Sequence, residues 1–271
     1  MQNVSKHAGL DLARSFVSLV KIEEVADNRY SAKLVETASE LESVLRLRFD
    51  VFKRELSDND SLERESGIDF DKYDLHCEHL IVTDRETGET VGTYRLNTIE
   101  RARTAGGFYA YTEFSIEDLP KGFLENSIEL GRACIAREHR NSRVLFMLWK
   151  GLANYLTVTK KRFLFGCCSI FTQDGDLART VLDRLKTDGS VHDAIVVSPR
   201  PDRTCLPEDF VSDGSVEFDL PALVKIYLRI GAKVCGEPAI DREFKTIDYF
   251  VVFDVETINR KYLKMFFGDR A

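Results

Sequence analysis

The stretch 127–171 decides the fold of this chain; it reads SIELGRACIAREHRNSRVLFMLWKGLANYLTVTKKRFLFGCCSIF. Its first part, 128–136, has the composition of a strand, and a basic loop follows at 137–143. Apolar residues then recur at helical spacing over 144–159, and 163–170 is an almost wholly apolar run that fits a strand covered on both faces. The stretch therefore predicts a βαβ unit whose helix N-terminus can hold an anion.

The bulk composition is that of a soluble globular protein. The chain has 271 residues, of which 44% are hydrophobic and 31% charged, enough for one large domain or two small ones. A net charge of −7 argues against general nucleic-acid binding. The cysteines form no CxxC pair, and no apolar run reaches the roughly 18 residues that span a bilayer. We therefore expect a cytoplasmic protein with reduced, mostly buried thiols.

The rest of the pattern predicts a single mixed α/β domain over 29–271, with a C-terminal elaboration, and an N-terminal extension over 1–28. In the extension, apolar residues share one face of a predicted helix: Leu12, Phe16, Leu19 and Val20. Such a helix fits a membrane surface, which would make the protein peripheral to the inner membrane. A helix packed on the body, or a frayed tail, is the alternative.

Strands and helices alternate along the domain. Thr37 and Glu40 form a capping-box signature that opens a predicted helix ending near Glu55, and Glu86-Thr87-Gly88 is typical of a hairpin turn. Further strands are predicted at 30–35, 79–83, 90–96, 194–197 and 249–253, and further helices at 174–185, 221–230 and 257–266.

Arg48 falls on the apolar stripe of the helix that Thr37 opens. A guanidinium on a buried face is costly unless carboxylates pair with it, and the run 69–74 (DFDKYD) offers three. The pairing would be purely structural or part of a site; the sequence leaves both interpretations open. The same run lacks the glycine and distal glutamate of an EF-hand loop, and His76, Cys77 and His79 lack a second ligand pair, so we expect no metal.

Glu129 and Arg132 place two charges inside a predicted strand, with Gly131 between them. Residues three apart face opposite sides of a regular strand, but a β-bulge at the glycine would bring both to one face. The carboxylate could then act as a general base beside an arginine that orients it or binds an anion. A structural salt bridge at a sheet edge is the alternative. Arg95 is a third charge in an apolar setting, whereas Cys134 and Ser169 lack a histidine partner and fit core packing.

These charges together resemble a known signature. The spacing Arg48-x-x-x-Phe52, Asp71-x-x-Asp74, Arg95 and Glu129-x-x-Arg132 is similar to that of acyl-homoserine lactone synthases, which belong to the GCN5-related N-acyltransferase (GNAT) superfamily. The short sequence motifs around these residues resemble those of the ornithine-lipid N-acyltransferases and related long-chain N-acyl amino acid synthases more closely. These motifs are LRFDVF, DKYDLHCEHLIV, VGTYRL, GGFYAYTEF, IELGRACI, WKGLANYL and the segment 221–252. The resemblance covers about 30–254.

The resemblance implies a GNAT fold, a mixed sheet with a V-shaped split flanked by helices. It implies transfer of a fatty acyl group, such as a 3-hydroxy fatty acyl group, from acyl carrier protein to the α-amine of an amino acid, with ornithine as first choice. Glu129 would be the base, and Arg132 and Arg95 would position the acceptor carboxylate or brace Glu129. Arg48, Phe52, Asp71 and Asp74 would shape the substrate site. No cofactor is expected beyond the phosphopantetheine thioester.

The loop 137–143 (REHRNSR) lacks the glycines with which the superfamily grips the pyrophosphate of coenzyme A. We therefore expect acyl carrier protein, whose surface is acidic, as donor, met by a basic set: Arg137, Arg140, Arg143, Lys160 and Lys161. An ordinary solvated helix surface is the alternative for this set. The rival functions are an acyl-homoserine lactone type of signal synthase and a non-catalytic acyl-binding sensor module.

Overall fold

The computed structural model describes residues 18–55, 67–206 and 218–268. The chain forms two compact units. Unit 1 comprises residues up to Gly106, then 130–161 and the segment from Lys264 on; unit 2 comprises 107–129 and 162–263. The assignment of 29–271 to one domain stays a prediction.

The described residues of unit 1 form strands and helices before residue 106 and a long helix after β5. In chain order these are β1 (Val25–Ala26), β2 (Tyr30–Leu34), α1 (Ala38–Phe49), a π-helix (Asp50–Glu55), β3 (Glu78–Asp84), β4 (Thr90–Thr98), α2 (Ile99–Ala105) and α3 (Ser142–Thr159). Strand β5 (Ser127–Ile135) begins in unit 2 and contributes its residues from Leu130 onward to unit 1.

Unit 2 contains the first residues of β5 and the C-terminal strands. Short 3-10 turns precede β5 at Tyr109–Thr112, Ile116–Asp118 and Leu124–Asn126. The later elements are β6 (Phe163–Ile170), α4 (Gly175–Thr187), α5 (Ala222–Ile230), β7 (Lys233–Val234), β8 (Ala239–Asp241), β9 (Thr246–Asp254) and the start of α6 (Arg260–Phe267).

Helix α1 begins as its sequence predicts. The Thr37 side chain accepts the Glu40 N–H, and the Glu40 carboxylate accepts the Thr37 N–H, which completes the capping box. The helix packs Leu41, Val44 and Leu45 into a fully buried cluster. It continues past Phe49 as a π-helix, a geometry that concentrates at functional sites.

The sheet of unit 1 is antiparallel through β1, β2, β3 and β4. Helix α3 begins at the cap that Asn141 forms by accepting the N–H groups of Arg143 and Val144. The helix lies close to the sheet at Gly151, where an added Cβ would stand 2.6 Å from a Leu80 methyl group. A larger residue at this position would therefore force the Leu80 side chain to move.

The sheet of unit 2 centres on the antiparallel pair β6 and β9. Strand β5 pairs with β6 in parallel through the register Ser127 to Phe163, Ile128 to Leu164 and Glu129 to Phe165. Strands β7 and β8 both pair with β9. The combination of a parallel pair with antiparallel neighbours confirms the predicted mixed sheet.

The predicted strand at 194–197 is wrong. The Nδ1 atom of His192 accepts the N–H groups of Ala194 and Ile195, so those donors serve a turn in place of a strand ladder. Val197 then lies against Gly236, where a side chain would collide with the Val197 carbonyl oxygen.

The predicted N-terminal helix lies largely outside the described residues, which begin at Ser18. Leu19, one of its apolar residues, is exposed, and its N–H donates to the buried carboxylate of Glu78. Among the helices that the structure describes, none combines the length and apolarity needed to cross a membrane.

Candidate active site

Arg48 is fully buried in unit 1, and the run 69–74 supplies its counter-charges as predicted. Its Nη1 and Nη2 atoms donate to the two oxygens of Asp74, at 2.6 and 3.2 Å. Its Nε atom donates to Asp69 Oδ2 at 2.8 Å. A bidentate guanidinium–carboxylate pair with a second carboxylate satisfies the buried charge and fixes helix α1 against this loop.

Arg95 and Arg132 extend the same network, which we call the arginine–aspartate network. Arg95 Nη1 lies 2.6 Å from both oxygens of Asp71 and 2.9 Å from Asp74 Oδ1. Arg132 approaches Asp71 at 3.1 Å and Asp69 at 3.3 Å. The network therefore joins α1, the 69–74 loop, β4 and β5 through Arg48, Asp69, Asp71, Asp74, Arg95 and Arg132.

The network holds its carboxylates ionised. Burial alone would raise the pKa of Asp71, but the charges of Arg95 and Arg132 outweigh it and hold that pKa well below its ordinary value. Burial is likewise outweighed at Asp69, whose pKa Arg48 and Arg132 lower. Arg132 is the most exposed arginine of the three, with 15% of its side-chain surface accessible, against 4% for Arg95 and none for Arg48. Arg132 is therefore the member best placed to meet a ligand.

The β-bulge expected at Gly131 stays a prediction, but the backbone is irregular at the next residue. Arg132 has φ 49°, in the left-handed region that a side chain disfavours, whereas the φ of Gly131 is not positive. Such conformations cost on the order of 1–3 kcal/mol and cluster at functional sites. The ion pairs of Arg132 with Asp69 and Asp71 supply interactions that offset this strain.

Glu129 lies in unit 2, on the part of β5 that pairs with β6. Its side chain is buried, and its two oxygens accept the backbone N–H groups of Tyr109 at 3.0 Å and Ala110 at 2.7 Å. The carboxylate thus fixes the short 3-10 turn at 109–112. Each oxygen has a second lone pair for a further donor, so this geometry leaves a role in proton transfer open.

Phe52 does not belong to the arginine–aspartate network. It packs from the π-helix onto an apolar cluster of Leu47, Val51 and Cys134. Burial raises the pKa of the Cys134 thiol to about 12, so this cysteine is a neutral core residue at physiological pH.

The predicted basic set is largely engaged with carboxylates. Arg140 pairs with Glu55, Arg143 with Asp27 and Lys161 with Glu100. Lys160 ends helix α3 in the left-handed region, with φ 55°. Arg137 lines an open cleft of about 730 Å³ between α1 and the β3–β4 hairpin, together with acidic residues such as Glu40 and Glu89. A carrier protein would have to compete with these ion pairs.

Sequence reasoning missed a second group of buried charges, in unit 2. The carboxyl groups of Glu113, Asp241 and Asp248 each offer an oxygen within 4.8 Å of the others. The signal was Asp248, a charge inside the apolar strand β9, but its partners are remote in sequence. We call these residues the carboxyl cluster.

The mixed sheet is the fold of a class of enzyme, the GNAT acyltransferases. In agreement, residues 47–150 match the family described as "Acetyltransferase (GNAT) domain". Solved structures with similar folds include "Crystal Structure of the AHL Synthase LasI", 11% identical with a TM-score of 0.45 over 91% of this chain and 96% of that chain. Another is the "COA-dependent acyl-homoserine lactone synthase, BjaI, with MTA", 16% identical with a TM-score of 0.48 over 86% and 82%.

The chain belongs more narrowly to the family of the L-ornithine N(alpha)-acyltransferases. It is 31% identical over 250 residues to the protein of that name from Rhizobium meliloti (strain 1021), covering 88% of this chain and 84% of the relative. The namesake from Brucella abortus (strain 2308) is 30% identical, with 88% and 89% covered. The chain is thus an enzyme that transfers an acyl group to an amine.

Proposed function

We propose that this enzyme transfers a fatty acyl group, such as a 3-hydroxy fatty acyl group, from acyl carrier protein to the α-amine of L-ornithine, giving a lyso-ornithine lipid. The observation that carries the acceptor is the similarity to L-ornithine N(alpha)-acyltransferases across 88% of the chain. The fold and Glu129 support the transfer chemistry, and the sequence of the 137–143 loop supports the donor.

The reaction forms a C–N bond and breaks a C–S bond. The neutral α-amine attacks the thioester carbonyl, and Glu129 takes the proton that the amine loses, directly or through a water molecule. The thiolate of the carrier's pantetheine then leaves and receives that proton from Glu129, which restores the base. Backbone N–H groups of the irregular part of β5 would stabilise the oxyanion of the tetrahedral intermediate.

The donor proposal rests on the 137–143 loop. It carries arginine, glutamate, histidine, asparagine and serine where the superfamily places glycines, and such side chains hinder close backbone approach to a pyrophosphate. The pantetheine arm of acyl carrier protein presents a single phosphate, and Arg137, Arg140, Arg143, Lys160 and Lys161 would attract the acidic carrier surface.

The arginine–aspartate network would fix the conformation of unit 1 near the substrate. Arg48 ties α1 to Asp69 and Asp74, and Arg132 is the partly exposed member that could bind an acceptor carboxylate. Arg95 is enclosed by Asp71 and Asp74, so we assign it a positioning role. Because the product is a lipid, peripheral contact with the inner membrane belongs to the same proposal.

Release of free thiol from the donor separates this function from its rivals. The purified enzyme is incubated with acyl carrier protein thioester alone, with L-ornithine, or with S-adenosylmethionine. We expect release that depends on ornithine. Release with S-adenosylmethionine only would indicate a signal synthase, and binding of the thioester without turnover under any condition would indicate an acyl-binding module.

A further inference from the structure

The carboxyl cluster has a defined set of unmet oxygen acceptors. Glu113 is fully buried and Asp248 is 3% exposed. Glu113 Oε1, Glu113 Oε2 and Asp248 Oδ1 accept no hydrogen bond from the residues that the structure describes. Among the described residues, no other buried carboxyl group has such an atom, although the half-buried Glu237 has one, Oε2. A buried acceptor without a donor is costly, and each such group calls for an explanation.

Asp241 differs from its two neighbours because its own oxygens are satisfied. Its Oδ1 accepts the N–H groups of Glu243 and Phe244, and Arg203 Nη1 stands 3.5 Å away. The hydroxyl of Tyr109 lies 3.5 Å from Oδ2. Tyr109 and Arg203 are both half-buried, so two partly accessible side chains lie beside Asp241.

Burial favours the neutral form of the carboxyl groups of Glu113 and Asp248. Burial raises the pKa of Glu113 well above its ordinary value, and the charge of Asp248 raises it further. Burial also raises the pKa of Asp248. The nearby Cys167 thiol has a pKa raised by burial and then by the charges of Glu113, Asp248 and Glu129. Glu129 therefore lies in the same neighbourhood as the cluster.

Backbone hydrogen bonds link Glu129 to the carboxyl cluster. Glu129 fixes the N–H groups of Tyr109 and Ala110, and the Ala110 carbonyl accepts the N–H groups of Glu113 and Phe114. Glu113 is thus held one turn beyond the segment that the proposed base anchors.

We propose that Glu113 and Asp248 bind the side-chain ammonium of the ornithine acceptor. This inference rests on the proposed function. A primary ammonium has three N–H donors, and once Glu113 gives up its proton the three unmet oxygens of Glu113 and Asp248 can accept them. Ornithine carries two amines, and an enzyme that acylates only the α-amine must hold the other one ionised and away from the thioester.

A divalent cation fits the cluster less well. Calcium takes six to eight oxygen ligands, but Asp241 Oδ1 already accepts two backbone N–H groups, and Asp241 faces the positive Arg203. The guanidinium would repel a metal ion, whereas a single ammonium needs only the two remaining carboxyl groups.

The test compares two acceptors and matched variants. L-Norvaline has the ornithine skeleton without the terminal amine. We expect Glu113→Gln and Asp248→Asn each to lower kcat/KM for L-ornithine by about 10- to 100-fold, the range for a hydrogen bond to a charged group, and to leave that for L-norvaline within about twofold. Glu243→Gln, at an exposed glutamate beside Asp241, is the control and should change neither.

A binding readout keeps the test independent of turnover. L-Ornithine should raise the Tm of the native enzyme more than L-norvaline does, and the difference should vanish in folded Glu113→Gln. Equal losses with both acceptors, or none, would overturn the inference while leaving the proposed function intact. A stoichiometric divalent metal that is lost in these variants would assign the cluster to metal instead. Failure of the native enzyme to acylate ornithine would reject the proposed function itself.

Discussion

Glu129 Oε1 accepts a hydrogen bond from the Ala110 backbone N–H at 2.7 Å. The carboxylate that the mechanism uses as base therefore also supports the turn that leads to Glu113. An amide in its place would turn an N–H donor toward one of the two backbone N–H groups, so any substitution of Glu129 tests both roles together.

For Glu129→Gln we expect kcat to fall by about 10²–10⁴ near pH 7, because the general base is lost. The loss should shrink as pH rises toward 9, since more acceptor α-amine is then neutral in solution. Steady-state kinetics over this pH range check the expectation. Glu125→Gln, at an exposed position four residues earlier, is the control. A folded Glu129→Gln enzyme with near-native kcat at pH 7 would leave Glu129 only its structural role.

Arg48 tests the arginine–aspartate network. Arg48→Met should lower the free energy of unfolding by about 3–5 kcal/mol, because Asp69 and Asp74 lose a buried counter-charge. Arg48→Ala should lose more, since it also leaves a cavity. Urea unfolding measures the free energy of unfolding of both variants. The control is Arg46→Met, which breaks an exposed ion pair with Glu42 on the same helix and should cost less than about 1 kcal/mol. Both Arg48 variants should be inactive; full activity in Arg48→Met would make Arg48 a space-filling residue.

Glu113 tests the carboxyl cluster through stability. The pKa of Glu113 is raised in the folded state, so its protonated form stabilises the fold. This stabilisation is complete below the unfolded-state pKa of about 4.3, and it is lost as pH rises through the folded-state pKa. The glutamine of Glu113→Gln stays neutral at both pH values. The Tm of this variant relative to that of the native enzyme should therefore be higher at pH 8 than at pH 5, by about 2–4 °C for each kcal/mol. Thermal unfolding at both pH values measures this. An equal destabilisation at both would mean that Glu113 is not held protonated.

The donor prediction concerns the basic set. We expect acyl carrier protein thioesters to give a higher kcat/KM than the matching coenzyme A thioesters. Arg140→Glu should raise KM for the carrier by about three- to tenfold, most at low salt, because steering by charge is screened at high salt. Glu55→Gln, which frees Arg140 from its ion pair, should lower that KM. Lys186→Glu on α4 is the control, and equal kcat/KM for the two donors would refute the prediction.

Local signals in the sequence were sufficient for much of the fold. The Thr37–Glu40 capping box, the strand at 163–170 and the pairing of Arg48 with carboxylates of the run 69–74 follow from spacing and from the cost of buried charge. Helix α2 and strands β7 and β8 were missed because seven, two and three residues are too few to show a period. The carboxyl cluster was missed because only tertiary structure brings position 113 to positions 241 and 248.

The central claim is tested most directly by locating the acyl group in the product. The purified enzyme is given a 3-hydroxyacyl thioester of acyl carrier protein and L-ornithine, and the product is fragmented by tandem mass spectrometry. We predict a single N-acylornithine with the acyl group on the α-nitrogen and the terminal amine free. An acyl group on the terminal nitrogen, or thioester consumption that leaves ornithine unmodified, would contradict the account.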